Sequence, residues 1–343
     1  MKLDLTLRAL FAVVENMPKP KTFLYDLLFT DRENIDVQEV QIEFKNGRRL
    51  ISPFVDRFIN GQEMPKESFS GRTFKPYKIA PKRNFTADEL LFERVAGENP
   101  FLSDDPETKR SKKIAATLEE QTEQIHRRLE YMASDVLYNL TLTVDGVGVK
   151  DVVKFHDNNP REHYTTVTLT WDQPTADPIG DLKGQLREIS RVGGTRPSVI
   201  VMDPGASDLF MNNAKVKELM NLKNYFVGEV KPETEGVNGA IYLGTLSSLG
   251  LDIYEYQEFY DKIKNDGTTE TVSLIPENTV LFAPKGNMVK FAAESSITDG
   301  ILQGDLIPRI YEDEKNDSVE LRTVSKPVLI PLNTKSLRIL QVK

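Results

Sequence analysis

Apolar side chains recur at Ile114, Leu118, Ile125, Leu129, Met132, Val136 and Leu140, in steps of three, four and seven. That spacing lays them along one stripe of an α-helix. The pattern predicts a helix over 104–140. Asp105 caps it and Pro106 takes the first position, where a missing N–H costs nothing. No Gly or Pro follows until Gly146. At ~1.5 Å per residue the rod is roughly 50 Å long, more than a compact domain of this size needs, and it reads as a supporting beam. Lys109, Arg110, Lys112, Lys113, Glu119, Glu120, Glu123, Arg127, Arg128 and Glu130 crowd the other side, which reads as a solvated face.

Ahead of this rod, Leu10, Phe11, Val13 and Val14 predict a short apolar helix that Pro18 and Pro20 terminate. Phe23, Leu24, Leu27 and Leu28 then repeat at helical spacing. Such an arm packs on its own domain or on a neighbour, the former being the commoner outcome. Val40, Ile42 and Phe44 alternate with Gln41 and Glu43, as in a half-buried strand, and Asn46-Gly47 signals a turn. From Leu50 to Pro81 the chain is punctuated by Pro and Gly, basic, and dotted with Phe54, Phe58, Phe69, Phe74 and Tyr77. A loop this long is uncommon inside a compact domain. Its aromatics need a second surface, either the chain's own core or another copy of the chain.

Beyond the rod, Asp145-Gly146 between two β-rich runs predicts a hairpin, and residues 165–171 a further strand ending in Trp171, a packing anchor. Pro178 opens a second helix with Ile179, Leu182, Leu186 and Ile189 on one face, stopped by Gly193-Gly194. Residues 198–202 read as a buried strand that turns directly into a helix capped by Asp203, with Pro204 at its first position. Residues 251–260 read as one strand. The remainder is a β meander broken at Pro276, Pro284, Pro327 and Pro331.

Composition narrows the function. The 343 residues are 39% hydrophobic and 28% charged, with a formal net charge of −8. That suits a globular protein and argues against a dedicated nucleic-acid binder. Cysteine is absent, which removes disulfides, Cys-based zinc sites and thiol nucleophiles and fits a reducing compartment. His126, His156 and His163 lack metal-ligand spacing, so no metal or cofactor is expected. The opening residues lack the form of a secretory signal, and no stretch reaches the ~20 apolar residues of a membrane span. Asp203, Glu218 and Asp252 are acids without a catalytic motif around them, so no enzyme is expected.

The order of elements, together with FLYDLLF, FKPYKIAPK (Phe74, Pro76, Pro81, Lys82), IVMDPGASDLF, AKVKELM, IPENTVLF and VSKPVLIPL, resembles the major capsid protein of tailed phages, of the lambda E-protein type. The resemblance covers nearly the whole chain. It implies an α+β class and a Hong-Kong-97-like phage capsid fold. Its parts would be an N-terminal arm (1–35), an extended loop (36–95), a peripheral domain with the spine helix (96–176), an axial α/β domain (177–304), and C-terminal strands returning to the peripheral domain (305–343). Inter-subunit contacts are expected at Phe23, Phe54, Phe58, Phe69, Arg72, Phe74, Tyr77 and Lys82.

The implied function is a head protein of a tailed bacteriophage or prophage. It would assemble in the host bacterial cytoplasm into an icosahedral procapsid of pentamers and hexamers that expands on packaging double-stranded DNA. The expected partners are further copies of the chain, a separate scaffolding protein, a portal protein, a decoration protein, and DNA through weak non-specific contact, with no membrane. A separate scaffold is expected because the region ahead of the extended loop is short. An encapsulin-like compartment of the same fold is the nearest alternative, and an enzyme of unidentified class a more distant one.

Overall fold

A computed structural model describes residues 7–17, 22–37, 39–45, 69–91, 105–146, 148–155, 163–192, 194–222, 239–263, 268–297, 300–313 and 315–343. Its centre is a six-stranded sheet in the order Tyr164–Thr166, Arg338–Gln341, Thr279–Ala283, Val199–Met202, Leu251–Glu255, Ile241–Leu246. Val199–Met202 runs antiparallel to Thr279–Ala283 and parallel to Leu251–Glu255. All four of its residues are buried, as the unbroken apolar run VIVM requires of a strand covered on both faces.

The two-residue period of a strand divides these side chains between two cores. Ile200, Met202, Val280, Phe282 and Leu340 face helices Pro178–Arg191 and Pro204–Asn212, meeting Leu182, Ile189 and Phe210. Val199, Val201, Leu281, Ala283 and Ile339 face the long helix and the arm. Asp177 and Asp203 each cap one of the covering helices, with Pro178 and Pro204 at the first positions. Trp171 is buried and donates its indole N–H to Asp181 at 2.9 Å.

The long helix runs Pro106–Asn139, 34 residues, and Asp105 accepts a bond from the Thr108 N–H at its start. It ends where Leu140 turns left-handed at φ 49°. Its first half carries Ile114 and Leu118 into a separate core with Leu10, Phe85, Leu90, Val319 and Leu321. From Leu129 to Tyr138 it is buried on nearly every side. Two charges read from the sequence as solvated are inside. Glu130 is buried, and so is Lys113, whose ammonium donates to the Glu89 carbonyl at 2.5 Å. Gln121 donates to the Leu321 carbonyl at 3.1 Å and accepts from the Thr323 hydroxyl at 2.7 Å, fastening the helix to strand Ser318–Val324.

Several boundaries differ from expectation. Of residues 165–171 only Thr165 and Thr166 are strand, within Tyr164–Thr166. The Val167 N–H bonds the Gln341 carbonyl, and the chain then turns away toward Trp171. Residues 251–260 hold two strands, Leu251–Glu255 and Phe259–Ile263, the second pairing with Thr269–Ser273. In the hairpin Thr141–Gly146/Val149–Lys154 the pairing extends through Gly146, and Gly148, at φ 76°, lies in the turn. The arm packs on its own chain, the commoner of the two outcomes. Asp31–Ile35 pairs parallel with Met288–Ala292, which pairs in turn with Pro327–Ile330. The C-terminal segment splits as well. Ile307–Asp313 and Ser318–Val324 form a sheet with Lys82–Thr86 beside the long helix, whereas Arg338–Gln341 enters the central sheet. A cut at residue 177 separates Tyr164–Thr166 from the sheet it belongs to.

Candidate assembly surfaces

One of the four two-stranded ribbons among the described residues lies between the arm and the long helix in the chain. Val40–Lys45 pairs antiparallel with Phe69–Phe74, from Val40 opposite Phe74 to Lys45 opposite Phe69. Among the described residues no third strand joins it. Residues 46–68, with Phe54 and Phe58, lie outside the described residues. The ribbon carries Phe69, Arg72 and Phe74 in its second strand.

The root of the ribbon is held at several points. Val40 is buried in the main core. Lys75 pairs with Glu39 at 3.2 Å, joining the two legs. The Tyr77 hydroxyl donates to Asp151 on the hairpin that follows the long helix. That bond raises the Tyr77 phenol above its ordinary pKa and lowers the Asp151 carboxyl. Lys78 pairs with Glu294, which also binds Lys326 at 2.5 Å. Only 9% of the Glu294 side chain is exposed. Burial alone raises its pKa, but the bonds and charges of Lys326 and Lys78 outweigh that and hold it below the usual carboxylate range. Ile79 exchanges two backbone bonds with Ser325, at 2.8 and 2.9 Å. Lys82 then begins a strand and pairs with Glu320 at 3.0 Å. Beside the root, Lys75, Tyr77, Arg128, Met132, Leu142 and Val149 line a cleft of about 210 Å³.

The arm has its own anchor. The backbone N–H groups of Phe23, Leu24 and Tyr25 donate to the Glu130 carboxylate at 3.2, 2.7 and 2.9 Å, and the Tyr256 hydroxyl donates at 2.8 Å. Four donors converge on one buried acid, joining arm, long helix and central layer. Burial pushes the Glu130 carboxyl above the ordinary range, while the N–H groups of Tyr25 and Leu24, the Tyr256 hydroxyl and the Phe23 N–H pull it back.

The predicted contact residues therefore separate. Phe23 is 1% exposed and packs on Tyr254 and Tyr256, so its ring serves this chain's own core and not a neighbour's. Tyr77 and Lys82 hold the ribbon root to the body. Phe69, Arg72 and Phe74 lie on the ribbon itself. Glu130, Asp151, Glu294 and Lys326 were not singled out from the sequence as anchors. The thin charge content of 131–139 signals all-round burial of that part of the helix, and so bears on Glu130. Nothing comparable marks the other three.

Apolar side chains also remain on the outside. Ile297 is fully exposed and Ile301 is 65% exposed on the hairpin Glu294–Ser296/Gly300–Leu302, and Val149 and Val152 are exposed near the cleft. Among the described residues no group of three His, Asp or Glu side chains is placed to hold a metal ion, and no helix is long and apolar enough to cross a membrane.

Comparison with known proteins gives this architecture a setting. The family model for phage major capsid protein E matches residues 6–342. A chain assigned as the capsid protein of a prophage in E. coli CFT073 superposes with a TM-score of 0.71 at 18% identity, covering 100% of both chains. The capsid of cyanophage A-1(L) gives 0.51 at 12% identity, covering 95% of this chain and 94% of that one. The capsid of an empty GTA particle gives 0.51 at 11% identity, covering 95% and 91%. No curated protein matches the sequence. At these identities the structural likeness speaks for the fold, which is α+β and Hong-Kong-97-like.

Proposed function

The chain belongs to the phage major capsid protein E family, and from that premise we propose that it closes an icosahedral head by laying residues 36–95 across a neighbouring copy. The observation that carries this reading is the ribbon Val40–Lys45/Phe69–Phe74, tied firmly at its root and joined by no third strand among the described residues. An isolated strand pair is marginal in water and gains when a second surface covers it. Repeated around a closed symmetric shell, many moderate contacts of this kind support one another. Phe54, Phe58, Phe69, Arg72 and Phe74 are the contact residues, and Phe23 is not among them.

Copies group into pentamers and hexamers around the central-sheet layer. A separate scaffolding protein directs their assembly in the host cytoplasm, a portal protein occupies one vertex, and a decoration protein binds the finished surface. The net charge of −8 keeps double-stranded DNA from adhering strongly to the wall as it is packed. The long helix, fastened to the main core and to the separate core around Phe85, stays rigid while interfaces repack during expansion. An encapsulin-like compartment is the weaker reading, since the family match is to a phage capsid protein.

The test replaces residues 46–68 by a short Gly-Ser turn and co-expresses the protein with its scaffold. Electron microscopy should then show soluble subunits or open fragments and few closed shells. Normal shells from the deleted chain would mean that the loop is not the contact proposed.

A further inference from the structure

We infer that Glu294, acting through Lys78, together with the bond from Tyr77 to Asp151, sets the angle at which the ribbon leaves the body and so the curvature at which copies join. The inference rests on the loop reading given above.

Residues 75–79 follow directly on the second ribbon strand and form a strap across the body. Consecutive side chains of the strap are held by two different hairpins. Tyr77 is held by Asp151, on the hairpin Thr141–Gly146/Val149–Lys154. Lys78 is held by Glu294, at the base of the hairpin Glu294–Ser296/Gly300–Leu302. Glu294 is itself fixed by Lys326 at 2.5 Å, and Lys326 also donates to the Ala293 carbonyl at 3.3 Å. The chain continues from the strap into Ile79, bonded on both sides of its peptide to Ser325. Position along the strap is thus fixed by backbone bonds, and rotation by the two side-chain ties.

Lever length gives the small tie a large effect. Six residues at ~3.4 Å make a ribbon roughly 20 Å long, and a swing of about 10° at its root moves the far end about 3.5 Å, a whole van der Waals contact distance. Repeated at every contact, such an error keeps a heterologous interface from closing. Lys78 is the informative position. Its side chain is 37% exposed, and removing its charge leaves Glu294 still paired with Lys326. The strap is freed without stranding a buried acid.

The test uses the full-length chain co-expressed with its scaffold. Y77F/K78M subunits should keep the parent's circular dichroism and solubility, while the fraction of closed particles falls several-fold and their diameters spread. K78R, which restores the cation, should return the single K78M variant to the parent's size distribution. E294Q, which weakens the same tie from the body side, should reproduce the spread. An unchanged diameter distribution in Y77F/K78M, with the 46–68 deletion abolishing closure, overturns the clamp and leaves the loop reading standing. Normal shells from the deletion overturn the loop reading itself. Should Y77F/K78M prove insoluble, the K78M/K78R pair decides alone: equal distributions refute the inference, and a spread that K78R corrects supports it.

Discussion

Replacing Glu130 by Ala should cost the folded subunit about 3 kcal/mol. The carboxylate accepts from the N–H groups of Leu24 and Tyr25 and the Tyr256 hydroxyl at 2.7 to 2.9 Å, with a longer bond from Phe23 at 3.2 Å. Truncation leaves three well-made donors facing a void, and each orphaned buried donor costs ~1 to 3 kcal/mol. Relief of the acid's own desolvation offsets part of that sum, which leaves a net loss of about 3 kcal/mol. The arm, long helix and central layer meet at this point, so the loss should appear in global unfolding and not as fraying of the arm alone. Urea titration of dispersed subunits, followed by far-ultraviolet circular dichroism and by Trp171 fluorescence, measures it.

The pH dependence of the deficit has a definite sign. Because burial raises the carboxyl in the folded chain, the folded state binds the proton more tightly than the unfolded one. The stabilisation from this titration is fully present below the unfolded Glu value and is lost as pH rises through the raised folded value. The gap between parent and E130A should therefore widen on mild acidification. A variant within ~0.5 kcal/mol of the parent, the ordinary scatter of surface substitutions, would show that the four bonds contribute nothing net. A gap that narrows in acid would show that burial does not dominate the shift.

Two further outcomes follow from single side chains. Asp203 accepts from the N–H groups of Gly205 and Ala206 at 3.1 Å and of Thr279 at 3.0 Å. D203A should cost about 2 kcal/mol and D203N under ~1, since the amide keeps an acceptor for the cap; equal losses in the same urea titration would refute the capping role. Asp317 is exposed in the turn between Ile307–Asp313 and Ser318–Val324 at φ 44°, so D317G should raise the melting temperature by relieving up to ~1 kcal/mol of left-handed strain.

Elements set by local pattern were readable from the sequence, and those set by distant partners were not. The stripe from Ile114 to Val136 specified the long helix, and Asp105, Pro178 and Asp203 marked helix starts to the residue. The run VIVM announced a doubly covered strand. In contrast, the Val167 N–H meets the Gln341 carbonyl across more than a hundred residues, and nothing near Val167 says that the strand ends there. Arg338–Gln341 carries Ile339 and Leu340 to opposite cores, a two-faced pattern that does not name its sheet. Glu130 defeated the reading because charge predicts exposure and the compensating donors come from residues 23–25 and 256. The functional surface was legible only in outline. A long, aromatic-dotted, unperiodic stretch announced a loop in need of a second surface, but Asp151, Glu294 and Lys326 stand far from it in sequence.

The division of labour between apolar and polar contacts bears on how such a loop is aimed. Apart from the Glu130 anchor, the central sheet and the long helix are joined by quantity, with leucines, valines and isoleucines whose non-directional burial tolerates small slips. The strap is joined instead by groups that demand alignment: a phenol on a carboxylate, an ammonium on a half-shared acid, and a reciprocal backbone pair. The outer tie between Lys75 and Glu39 is 74% and 52% exposed and adds little, since two solvated side chains gain almost nothing by meeting; the Tyr77–Asp151 bond is also at the surface, which leaves Lys78–Glu294 the stronger of the two strap ties. Glu294 differs in being 9% exposed and held by a second lysine before Lys78 arrives. Its carboxylate is already in place, so Lys78 gives up less freedom in reaching it and the bond defines a direction. For a subunit that must meet its copies at one angle, directional contacts at the root matter more than further apolar area along the ribbon. The angle should then follow Lys78 and Glu294 even where overall stability does not change.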